Sequence, residues 1–76
     1  MNLKKWVDSL NIDTIDSVMG LVATRDKLES VLDKINDTIE HKPSAKTYAM
    51  ERKKLVVNLI KQCEQKLADM QQSLFQ

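Results

Sequence analysis

Two side chains in this sequence could carry covalent chemistry, Cys63 and His41, and each is the single residue of its type. A cysteine becomes a nucleophile when a neighbouring base takes its proton or a charge lowers its pKa. The pattern around them rules that partnership out. His41 falls at the tip of a helical hairpin, and Cys63 lies about 30 Å further along the helix at 1.5 Å per residue. One Cys and one His cannot form a zinc site of the usual kind within one chain, and a lone Cys cannot form an internal disulfide. The carboxylates are spread at helical spacings, as solubilising charge is, and a chain with a single Gly offers no Gly-rich loop for a phosphate. The sequence therefore names no catalytic, cofactor-binding or metal-ligating residue, and the expectation is a protein that is not an enzyme.

A third chemistry is phosphate recognition by clustered cations. Lys42, Lys46, Arg52, Lys53 and Lys54 could lie along RNA or DNA, and a dimeric hairpin binding nucleic acid through Lys46, Arg52, Lys53 and Lys54 is the alternative reading. Charge arithmetic argues against it. Residues 1–41 carry five Lys/Arg and eight Asp/Glu, and residues 42–76 carry seven and three, so the halves are net −3 and net +4. With a turn near Pro43, the run Arg52-Lys53-Lys54 falls opposite Glu29, Asp33 and Asp37, which would neutralise it within the hairpin. The pI is only about 7.8. No aromatic side chains alternate with the basic ones to stack on bases.

The elements that hold these residues are helices. Apolar positions Val56, Ile60, Cys63, Leu67, Met70 and Leu74 alternate in steps of four and three, the seam of a helix packed lengthwise on others. Leu21, Leu28 and Ile35 repeat at seven, and Val18, Leu32 and Ile39 form a second row. Arg25 interrupts that second row, either snorkelling out of the seam or pairing across it. Asn11 reads as the N-cap of this helix, with Leu10 and Ile15 as a hydrophobic staple and Asp13 and Asp16 near the positive end of its dipole. Gly20 inside the pattern costs ~1 kcal/mol relative to Ala, which implies a bend or the close approach of another backbone. His41-Lys42-Pro43-Ser44 breaks the pattern and starts the next helix. Ahead of all this, Leu3, Trp6, Val7 and Leu10 form one stripe of a short helix that must dock to persist. Trp6 is either an anchor for a partner's pocket or a cap on the open end of the bundle.

The expected architecture is a single all-α domain over residues 1–76. A short amphipathic helix over 2–10 leads into an antiparallel hairpin of long helices over 12–41 and 45–74. A chain of 76 residues gains only ~3–5 kcal/mol from one core, and two helices alone leave apolar flanks in water. Ile15, Met19, Val22 and Val31 remain on one arm, and Leu55, Val57 and Leu59 on the other. Such a surplus signals an interface with a protein. Trp6, Leu55, Leu59, Val57, Val22 and Met19 are the candidate partner-binding residues. Leu55 and Leu59 are expected on the outer flank, whereas Val56, Ile60 and Leu67 point at the other arm. Two hairpins could pair into a four-helix bundle homodimer, or the groove could accept a helix from another protein.

The proline before the second long helix (Pro43), the tyrosine in its first turns (Tyr48) and the seam Leu55, Leu59, Ile60, Cys63 and Leu67 resemble the small two-helix co-chaperones of type III secretion needle subunits. The resemblance covers the second half of the chain. It implies a cytoplasmic helical hairpin that binds a helical partner and keeps an aggregation-prone subunit soluble. From the apolar seam itself, the expected role is that of a small chaperone, adaptor or inhibitor. Leu3-Lys4-Lys5-Trp6 leads into Asp8 and Ser9 and not into an apolar run, and no stretch approaches the ~20 apolar residues of a membrane span. With an unpaired seam cysteine, the expected compartment is the cytoplasm.

Overall fold

A computed structural model describes residues 2–74, with side chains as far as Gln72; the seam position expected at Leu74 lies outside the described side chains. Among the described residues the chain is helical throughout. Helix α1 spans Leu3–Ser9, a single 3-10 turn spans Ile12–Thr14, α2 spans Val18–His41, a second 3-10 turn spans Pro43–Ala45, and α3 spans Lys46–Leu74. The four residues between α2 and α3 reverse the chain, so the two long helices pack antiparallel along a molecule 50 Å in length.

The seam periodicity translates directly into burial. Leu21, Leu28 and Val31 of α2 meet Val56, Leu59, Ile60, Cys63 and Leu67 of α3 in one core. Val7 of α1 and Ile12 of the first 3-10 turn belong to that same core. Arg25 pairs with its neighbour Asp26 at 3.7 Å, at the rim of its own helix and not across the seam. Pro43 begins the second 3-10 turn, where its fixed φ and missing N–H are tolerated.

The second helix starts six residues later than the sequence reading places it. Asn11 does cap, but it caps the 3-10 turn: its side chain accepts from the Asp13 N–H at 3.1 Å. The cap of α2 is Ser17, whose Oγ accepts from the Gly20 N–H at 3.0 Å. Tertiary contacts decide between the two candidate caps. The Lys66 ammonium of α3 donates to the carbonyls of Ile12 and Asp13 at 3.2 and 3.1 Å. In a continuous helix those carbonyls would be taken by the N–H groups of Asp16 and Ser17. In the 3-10 turn the Ile12 carbonyl accepts from the Ile15 N–H at 3.1 Å and shares its oxygen with Lys66, and Ile12 itself turns into the core.

No other backbone approaches Gly20 closely. A Cβ there would lie 2.8 Å from Ser17 Oγ and 3.0 Å from Ile15 Cγ2. The glycine makes room for the capping hydroxyl and for the staple residue. Gly20→Ala is therefore expected to leave the melting temperature unchanged or lower. The ~1 kcal/mol of helix propensity gained is offset by a cap worth ~0.5–2 kcal/mol. Thermal melts followed by circular dichroism decide it, and a rise of several degrees would show that Ser17 and Ile15 yield freely.

Candidate functional site

The α2–α3 hairpin has two flanks, and the N-terminal segment occupies one of them. Helical spacing puts Tyr48, Arg52, Leu55, Leu59 and Lys66 on one side of α3, at steps of four, three, four and seven. Arg52 Nη1 meets Asp8 Oδ1 of α1 at 2.6 Å, and Lys66 holds the carbonyls of the following 3-10 turn. Leu59 lies between these two ties, beneath the segment. On α2, Trp6 packs beside Lys27, whose Nζ is 4.3 Å from the ring centroid. That places the tryptophan half-buried along the body of α2, away from the open end of the bundle. Near the turn a cleft of about 250 Å³ separates α1 from the long helices, with Leu3, Val7, Val31, Ile35 and Ala49 among its walls.

This docking revises the outer flank read from the sequence. Val31 and Leu59 are core residues of the single chain, Leu59 at 6 % exposure beside Ile60 at 8 %. Leu59 is therefore not on an outer surface, and its neighbour Leu55, at 37 %, forms only the rim of the covered flank. Ile15 and Val22 pack partly against the core. Met19 projects from the first turn of α2 with 84 % exposure.

The opposite flank has nothing over it within the described residues. Val22, Leu32 and Ile39 of α2 face it at steps of ten and seven, all half-buried, and Met50 and Val57 of α3 face it from the other side. Met50, Lys53, Lys54, Val57, Asn58 and Lys61 together line one shallow hollow. Of the candidate partner-binding residues, Val22 and Val57 lie on this open groove. Trp6, Leu55 and Leu59 belong to the other flank. Met50 and Lys61 are additions, and the spacing of 50, 54, 57 and 61 contained the signal: it is one stripe of a helix.

The basic residues separate in the same way. Arg52 is taken up by Asp8. Lys46, Lys53, Lys54 and Lys61 point outward, and among the described residues none has a carboxylate within 4.0 Å. The expected neutralisation by Glu29, Asp33 and Asp37 does not occur. Those acids stand level with the lysines, but the two rows face away from each other across the hairpin. His41 instead sits 3.8 Å from Asp37 at the tip.

Cys63 is fully enclosed, and burial pushes its thiol above the ordinary 9.0; Arg25 pulls weakly in the other direction and Glu64 adds to the rise. Such a thiol is neutral and shielded at physiological pH. It is expected to react with a thiol reagent at least ~100-fold more slowly in the folded chain than in urea, because reaction awaits opening. A proton held more tightly by the folded state favours folding fully below pH 9.0, and that contribution falls as pH rises above it. Rapid labelling of the native chain would place Cys63 at the surface.

No helix of the described chain is long and apolar enough to cross a membrane. Comparison with protein-family models, with characterised proteins and with solved structures gives no match.

Proposed function

We propose that this chain is a non-enzymatic, protein-binding helical module that holds a helix in the open groove between α2 and α3. One observation carries the reading: a row of apolar side chains, Val22, Leu32, Ile39 and Val57 half-buried and Met50 exposed, lies along a flank that the chain's own N-terminal segment leaves uncovered. The other flank is a template for it. There the same hairpin already takes a short amphipathic helix, α1, and fixes it with the Asp8–Arg52 ion pair at the edge. A groove of this form accepts an amphipathic helix by the same means, from another protein or from a second copy that would complete a four-helix bundle. A needle-type subunit with an exposed amphipathic helix is one class of partner, in keeping with the co-chaperone resemblance. A buried, reduced thiol suits the cytoplasm.

Val57→Asp tests the groove. Val57 lies on the open flank and outside the core, so the variant is expected to keep its helical circular dichroism. It is expected to lose association, because an unpaired carboxylate enclosed by a partner costs several kcal/mol. Retained association, measured by sedimentation and by co-purification with a tagged chain, would overturn the reading.

A second reading has one observation in its favour, the unneutralised stripe Lys46, Lys53, Lys54 and Lys61. Phosphates would suit it, in RNA or DNA. Salt separates the two readings, since phosphate contacts are lost steeply as counterions compete. A mobility shift of labelled nucleic acid by micromolar protein at about 0.2 M salt would favour this second reading over the first.

A further inference from the structure

We propose that the occupant of the open groove is a second copy of this chain, related by a two-fold axis parallel to the hairpin, so that α2 of each copy lies beside α3 of the other. The proposal rests on the reading of the groove as a protein-binding surface and names its partner and geometry. The charged residues bordering the groove carry the argument. On α2 the outer border holds Asp26, Asp33 and Glu40, repeating at seven. On α3 the corresponding border holds Lys54 and Lys61 with the same repeat, and Lys46 and the half-buried Lys53, also seven apart, lie nearer the groove floor. The hairpin fixes their heights. With α2 ending at His41 and α3 beginning at Lys46, residues equally far from the turn along the two helices stand level. Counting outward from there, Glu40 stands level with Lys46, Asp33 with Lys54, and Asp26 with Lys61.

Within one chain these rows cannot meet, since they flank the groove on opposite sides, and none of these acids reaches a lysine. A two-fold axis along the groove preserves height and exchanges left for right. It therefore sets each acid against the lysine at its own level on the other copy, twice over. The other isologous choice, an axis across the hairpin, sets α2 on α2 and acid on acid, which is repulsive. The groove runs along a molecule 50 Å long, enough for an interface of standard size, about 800 Å² per partner. Alternating from Ile39 through Met50, Leu32 and Val57 to Val22, it supplies an apolar side chain to the new seam every turn or two.

Three measurements test this. Sedimentation equilibrium of the full chain is expected to give twice its mass of 8.8 kDa. A chain still monomeric at about 100 µM would overturn the proposal and leave the groove to a helix of another protein, which Val57→Asp tests separately. Next, Lys54→Glu with Lys61→Glu, and Asp26→Lys with Asp33→Lys, are made as two double variants. All four positions are exposed, so circular dichroism is expected to be unchanged. Each variant alone is expected to weaken its dimer on the order of tenfold or more. Mixed, they are expected to form a heterodimer of near wild-type strength, because every contact between them is again of opposite sign. A wild-type dimer whose two variants do not prefer each other would overturn the proposed axis.

Discussion

Leu59→Asp is expected to abolish the helical circular dichroism of the chain, and Ile60→Asp to do the same. Both side chains are enclosed in the core of the single chain, so either variant buries a carboxylate among apolar neighbours. The penalty of several kcal/mol matches or exceeds the ~3–5 kcal/mol that a core of this size supplies. The long helices cannot survive separately, since their stability comes from packing on each other. Leu55→Asp is the control: on the same side of α3 but at the rim, it is expected to keep its helix content and most of its melting temperature. Circular dichroism in a urea titration reads all three. If Leu59→Asp stayed folded and lost only its association, Leu59 would belong to an intermolecular face and the N-terminal segment would not cover it.

That contrast marks how far the sequence could be read. The hairpin is legible because helical period and turn chemistry are local: Val56, Ile60, Cys63 and Leu67 name their own face, and Lys42-Pro43-Ser44 names the reversal. Leu59 was legible as apolar and off-centre in the seam, which it is. What covers it was not, because the answer lies in a segment some fifty residues away that chooses one flank of the hairpin over the other. The same long-range choice explains the late start of α2. Asn11 and Ser17 are equally good caps in isolation, and the Lys66 bonds to the Ile12 and Asp13 carbonyls favour the later one, since a continuous helix would commit both carbonyls to Asp16 and Ser17. The charge reading erred for a geometric reason. Residues at equal height in a hairpin are neighbours only when they face the seam, and Asp33 and Lys54 face away from it. Cys63 and His41, by contrast, were correctly kept apart, since their distance is set by helical rise alone.

Val7→Asp is expected to release the N-terminal segment while leaving the hairpin standing. Val7 is the deepest residue of α1, at 2 % exposure, and α1 has seven residues, far too few to persist undocked. Placing a carboxylate there opposes docking of α1 by several kcal/mol, more than the ion pair of α1 returns. The Asp8–Arg52 pair, though short at 2.6 Å, has a half-exposed partner in Asp8, and such a pair contributes ~1 kcal/mol or less. The loss of helix is then confined to α1 and the 3-10 turn after it. Trp6 leaves its place beside Lys27, so its emission shifts to the red, and the stability of what remains falls by ~2–4 kcal/mol as Val31 and Leu59 meet water. With both flanks of the hairpin open, the variant is expected to bind a hydrophobic dye and to assemble beyond a dimer. Asp8→Asn, which breaks only the ion pair, should leave Trp6 emission nearly unchanged. An unshifted Trp6 in Val7→Asp would mean that the segment does not dock through this face, and the covered and open flanks would then have no basis for being told apart.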